Sequence, residues 1–100
     1  MSNTKTFDVY EDPGHGWVKV KLSYIKKLGI QDEISSYSYL RGEYAYLEED
    51  CDASVLIAAL KKNGIEAKFR SHHSDKSSKI RNYLSYNAAC VDWDSCEVSY

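Results

Sequence analysis

Little in this chain announces a chemistry. One proline, one methionine, two phenylalanines and three cysteines stand among its 100 residues, and no two cysteines form a Cys-x-x-Cys pair. No ligand pair has zinc-finger spacing, and an odd, scattered set of thiols points to a reduced intracellular compartment. In an oxidising compartment, Cys90 and Cys96 would be the pair to close a small loop. No apolar run approaches the roughly 18–20 residues of a membrane helix; the longest, Val55 to Leu60, fits a short helix. Met1 to Thr6 is polar, without the apolar stretch of a secretory leader. Excess charge is lacking too. The formal net charge is -2 and the pI about 5.9, short of the basic balance typical of a nucleic-acid binder. What remains is one cytoplasmic globular domain, residues 1–100, 43% hydrophobic and long enough to bury a core without metal or disulfide.

Tyrosine, by contrast, is abundant, with nine residues. Four of them lie between Tyr37 and Tyr46, where two alternating runs meet at Arg41-Gly42, a good two-residue hairpin loop. That loop pairs Leu40 with Glu43, Tyr39 with Tyr44, Ser38 with Ala45 and Tyr37 with Tyr46. Side chains alternate along a strand, so Tyr37, Tyr39, Tyr44 and Tyr46 share one face, while Ser38, Leu40, Ala45 and Leu47 take the other. Such a face is either a core wall with its hydroxyls led out to water or a contact surface. Interface hot spots favour Tyr, Trp and Arg, and Arg41 stands at the hairpin tip.

The rest of the chain predicts a small α+β domain. A largely antiparallel sheet of about five strands, in the order ββ(α)ββαβ, carries one main helix across a face. Residues 1–5 read as disordered. Phe7 and Val9 begin a first strand, Asp12 to Gly16 turns around Pro13, and Trp17 to Leu22 makes a second strand. There Val18, Val20 and Leu22 face one way, Trp17, Lys19 and Lys21 the other. Ser23 is placed to cap a short helix through Leu28, with Gly29 at its end. Ile30 and Ile34 lead into the hairpin. Asp50 or Asp52 caps the main helix, Ala53 to Asn63, which Gly64 ends. Apolar residues cover nearly its whole circumference and predict burial on more than one side. Ile65 to Arg70 alternates as a fifth strand. His72 to Ser78 reads as a polar loop, Ile80 to Ala89 as a helix or irregular cover, and Val91 to Val98 as a weak last strand or tail.

Charge is unevenly spread. Residues 43–52 carry five carboxylates and no base, whereas residues 61–81 carry seven Lys or Arg against Glu66 and Asp75. Asp92, Asp94 and Glu97 follow with no base. The asymmetry reads either as neighbouring solvated surfaces or as a nucleic-acid face and an acidic imitation of one. Glu48, Glu49, Asp50 and Asp52 sit where a helix dipole favours negative charge; they also suit a partner contact, and they lack the spacing of a calcium loop. Lys68, Arg70, His72, Lys76, Lys79 and Arg81, followed by Tyr83 and Tyr86, mix bases with aromatics fit to grip phosphates and stack on bases. His15 is the candidate ligand or acid/base, with Asp12 its nearest orienting partner; the plainer reading is a packed turn residue. Adjacent His72 and His73 point to opposite faces of a strand and do not share a zinc ion. Cys51 stands where a helix start lowers a thiol pKa, yet neither it nor Cys90 has a neighbouring base, and both read as small packed residues.

Three segments, Tyr10-Glu-Asp-Pro-Gly-His-Gly-Trp17, Ile34-Ser-Ser-Tyr-Ser-Tyr39 and Tyr46-Leu-Glu-Glu-Asp-Cys-Asp52, carry a resemblance. Together they resemble a family of small bacteriophage and mobile-element proteins, over roughly residues 7–86. That family has no assigned activity, so no catalytic residue is implied. The resemblance does imply a bacterial cytoplasm as the setting, and the binding of host machinery, including defence nucleases, as the mode of action.

The expectation is a non-enzymatic accessory protein that binds a host protein or protein–nucleic-acid complex, such as an anti-CRISPR or anti-restriction inhibitor. Its contact surface would be Tyr37, Tyr39, Arg41, Tyr44, Tyr46, Glu48, Glu49 and Asp50, with no cofactor, metal or membrane and with a homodimer open. One alternative is a small nucleic-acid-binding protein using Lys68, Arg70, Lys76, Lys79 and Arg81. The other is a metal-dependent hydrolase around His15.

Overall fold

Alternation of apolar and polar residues over Asn3–Glu11 (β1) and Gly16–Lys21 (β2) builds two antiparallel strands at the centre of a computed structural model that describes residues 3–95. Helix α1 (Leu22–Leu28) follows, then the hairpin β3 (Tyr39–Arg41) and β4 (Tyr44–Glu48), helix α2 (Ala53–Lys62), β5 (Ile65–His73) and a short β6 (Leu84–Ser85). The sheet has six strands in the order β5-β1-β2-β4-β3-β6. All neighbours are antiparallel except β1 and β5, which run parallel with Phe7 opposite Phe69. The α+β architecture and the element order ββαββαβ stand as expected, with one further strand.

One face of the sheet carries the core. Phe7, Val18, Val20, Ala45 and Leu47 meet Leu22 and Ile25 of α1, and Leu56 and Leu60 of α2. Only one side of α2 is buried: Ala53, Leu56, Ala59 and Leu60 pack inward while Ala58 is exposed. The burial on more than one side expected of this helix is not realised, because the C-terminal segment packs on α1 instead. Lys26 Nζ donates to Trp93 O at 2.6 Å, and Tyr86 enters the core with its hydroxyl donating to Gln31 O at 2.6 Å. Burial pushes the Tyr86 phenol well above its ordinary pKa.

Several local expectations change. Asn3 to Lys5 are strand, paired with Ile65, Glu66 and Ala67, because the parallel partner supplies hydrogen bonds that no local signal reveals. Ser23 lies inside α1, which begins after Lys21 without a side-chain cap, whereas Gly29 closes the helix in the left-handed region at φ 70°. Ile30 and Ile34 lead toward the hairpin as buried plugs in the loop before β3. β5 continues through His73, into the expected loop. Beyond it lie two short 3₁₀ turns, Lys79–Asn82 and Ala88–Cys90, on either side of β6. Val91 to Ser95 is not strand and ends in a third such turn, Trp93–Ser95; the remainder of the expected tail, with Cys96, falls outside the described residues.

Candidate functional site

The turn Asp12 to Gly16 and the start of α2 meet at one end of the sheet. Asp12 is buried and accepts five hydrogen bonds: from the N–H of Gly14 at 3.0 Å, of His15 at 2.9 Å and of Ser78 at 2.9 Å, and from Arg81 Nε at 2.7 Å and Nη2 at 2.9 Å. The bidentate Arg81, and then the Ser78 N–H, hold its carboxyl far below the usual range. Asp12 is therefore a structural knot and not the orienting partner of the His15 ring. The carboxylate near that ring is Glu48, whose Oε1 lies 3.6 Å from His15 Nδ1. Glu48 is itself buried and accepts from the Asp50 N–H at 3.0 Å. Donor atoms of His15, Glu48 and Asp50 fall within 4.8 Å of one another, a spacing a divalent cation accepts. Partial burial, and then Asp50, Glu11 and Glu48 nearby, push the Glu49 carboxyl up. This end of the sheet is crowded with negative charge.

Asp52 does not cap α2 with its side chain. The buried carboxylate accepts instead from Ser35 N and Oγ and from Ser38 Oγ, and the Glu48 N–H donates to Ser38 Oγ at 2.9 Å. Partial desolvation of the Cys51 sulfur, and then Glu48, push its thiol up, opposite to the acidification a helix start suggests.

The second face of the sheet holds the tyrosines. Leu40 pairs with Ala45 and Arg41 with Tyr44, so the loop is Gly42-Glu43 and not Arg41-Gly42. The slip moves pairing by two residues and leaves the faces unchanged, with Tyr39, Tyr44 and Tyr46 still together. Tyr37 precedes the strand and is 70% exposed, away from them. Residues 74–83 form a strap against this face, held by Ser74 N to Glu11 O at 2.8 Å and by the Asp12 knot. Ile80 of the strap is buried with Trp17 and Tyr46, and Tyr10, Tyr39, Tyr44 and Tyr83 surround them. Arg81 lies 5.4 Å over the Trp17 ring and Arg41 5.2 Å over that of Tyr83. Tyr46 is thus core, and Tyr39 and Tyr44 are half-buried.

Past the strap, the same face turns basic. Across β5, β1, β2, β4 and β3 one row reads Arg70, Asp8, Lys19, Tyr46, Tyr39; beside it stand Lys68 opposite Thr6, and Lys21 opposite Tyr44 opposite Arg41. The carboxylate in these rows is satisfied. Asp8 Oδ1 accepts from Arg70 Nε at 2.8 Å and meets His72 Nε2 at 2.9 Å, which lowers its pKa to about 2. His72 also stacks on Tyr10, centroids 4.9 Å apart, and its side chain is 46% exposed. At the sheet end, a groove of about 510 Å³ is lined by Lys5, Lys19, Lys21, Lys27, Ser23 and Tyr44 among others. Lys19 Nζ sits 4.2 Å over the Tyr44 ring.

Of the residues expected to bind nucleic acid, Lys68 and Arg70 lie on this basic face. Arg81 is committed to Asp12, and Lys76 and Lys79 are exposed on the strap. Of those expected to bind a protein, Glu48 and Tyr46 are buried, while Glu49 and Asp50 are exposed at the acidic end, remote from Arg41. Lys5, Lys19, Lys21 and Lys27 were not among the expected site residues. The outward alternation of Trp17, Lys19 and Lys21 is the one signal that would have found two of them. His15, His72 and His73 do not converge: His73 Nε2 lies 3.6 Å from Asp75. Set against family models, curated proteins and solved structures, the chain matches none.

Proposed function

We propose that the protein binds single-stranded nucleic acid across the basic face of its sheet. The observation that carries this reading is the placement of Lys19, Lys21, Arg41, Lys68 and Arg70 on one face, around half-buried Tyr44 and beside the exposed His72 ring. Cations along a sheet supply the phosphate contacts that dominate affinity, and aromatic rings among them supply stacking worth about 1–3 kcal/mol per base. A broad sheet face is too wide for a duplex groove but accepts a splayed strand. The low pI is no obstacle, since much of the negative charge gathers at the opposite end of the strands.

The test is fluorescence anisotropy with labelled single-stranded and duplex oligonucleotides at several salt concentrations. With about four phosphates engaged, log K falls by roughly 3 per tenfold rise in salt. Lys19→Gln with Lys21→Gln weakens binding at least about tenfold and flattens the slope by roughly 1.4. Absence of binding at low salt overturns the reading.

The acidic end favours a second reading, in keeping with the resemblance to bacteriophage proteins: an accessory protein that presents Glu11, Glu49 and Asp50 to a basic host-protein surface. Glu49→Lys with Asp50→Lys then abolishes capture of a nuclease-resistant host partner and leaves oligonucleotide binding intact. A hydrolase around His15 has less support, because the groove at the basic end does not take in His15, Glu48 or Asp50.

A further inference from the structure

β5 ends the sheet. Its nine residues pair with β1 on one side, and among the described residues no strand lies on the other. Exposed edges of this length invite another chain, and proteins blunt them with prolines, bulges or charge. β5 has no proline, and all nine of its residues, Ile65 to His73, stay in unbroken register with β1. Apolar surface is left open beside it. Phe69 is 43% exposed, and a cavity of about 440 Å³ runs between strand and helix along Ile57, Ile65, Ala67 and Phe69.

We infer that this edge is a self-association surface: a second copy adds antiparallel through β5, with the two-fold axis at Ala67. Register decides between the choices. A two-fold perpendicular to a continuous sheet places residues of the same face opposite one another, so the axis falls on a residue. Centring on Lys68 sets that lysine against itself. Centring on Phe69 sets Lys68 against the partner's Arg70, and centring on Glu66 opposes two carboxylates. Centring on Ala67 places Glu66 opposite the partner's Lys68 and Ile65 opposite the partner's Phe69, each twice by symmetry. Opposite charges pair on one face, and the exposed Phe69 is covered on the other. Both basic faces then lie on the same side of one continuous sheet, with Arg70 of each copy near the joint.

Sedimentation velocity on the full chain, without nucleic acid, tests the arrangement. A species of twice the 11.4 kDa chain mass is expected. Glu66→Lys alone and Lys68→Glu alone each weaken it by roughly tenfold or more, because like charges then face each other twice. The double exchange, Glu66→Lys with Lys68→Glu, restores the dimer. Both positions are exposed, and circular dichroism confirms that each variant folds. A monomeric wild type at all concentrations, or a double exchange that fails to recover association, overturns the inference. Neither result bears on oligonucleotide binding, which is read separately.

Discussion

Asp12 concentrates more polar contacts than any other side chain described, and it ties the β1–β2 turn to the strap. Its pKa and that of Asp8 lie below their unfolded values. A carboxyl of this kind contributes stability above its unfolded pKa and loses it as pH falls toward the folded one. The share of Asp8 disappears between 3.8 and about 2, and that of Asp12 persists to lower pH. Asp12→Asn is accordingly expected to lower the urea midpoint at neutral pH and to shift Trp17 emission to the red as Arg81 leaves the indole. The gap between variant and wild type narrows as pH falls below about 4. Parallel curves for the two proteins would show that the carboxylate is not tied in the folded state. A Trp93→Phe background isolates the Trp17 signal. The sequence placed Asp12 in a turn, but Arg81, 69 residues away, was invisible to it. For the same reason Asp52 read as a helix cap: its donors Ser35 and Ser38 come from a loop with no local mark of their contact.

At the scale of elements, periodicity carried most of the legible content. Alternation located β1, β2, β4 and β5, and glycines marked both helix ends. The hairpin shows where such reading stops. Arg41-Gly42 and Gly42-Glu43 are both two-residue loops, and both keep Tyr39, Tyr44 and Tyr46 on one face. Core packing chose between them, setting Leu40 opposite Ala45 above the helices. The chosen loop puts Gly42 first, at φ 60°, with nothing within 4 Å of where a Cβ would stand. Gly42→Ala is therefore expected to cost only the left-handed backbone penalty, about 1–2 kcal/mol by chemical denaturation, with nucleic-acid affinity unchanged. A larger loss would mean that the register itself had moved. Tyr37 drops out because β3 starts at Tyr39, and nothing in the Tyr-x-Tyr spacing foretold that start.

Across the whole molecule, the feature that composition concealed is polarity along the strands. A net charge of -2 sums an acidic end around Glu48, Glu49 and Asp50 with a basic end around Lys5, Lys19 and Lys21. Segment totals found the two signs but only part of the positive one: Lys68 and Arg70 belong to the basic stretch, whereas Lys19 and Lys21 come from outside it. If the basic face binds as proposed, Glu49→Gln leaves the affinity for a single strand within about twofold at 150 mM salt, where screening reaches only about 8 Å.

The parallel pair of β1 and β5 bears on how the chain is made. Asn3 lies opposite Ile65, so the first strand waits for some sixty residues of synthesis before its partner exists. Until then one flank of β1 is open, while β2 and the hairpin find their mutual partners nearby. Closing a loop that long is slow compared with forming a hairpin. A chain synthesised only to the end of α2 therefore holds β1 to β4 with one flank of β1 bare and β3 still without β6, the form in which this protein is most exposed to aggregation and to chaperones.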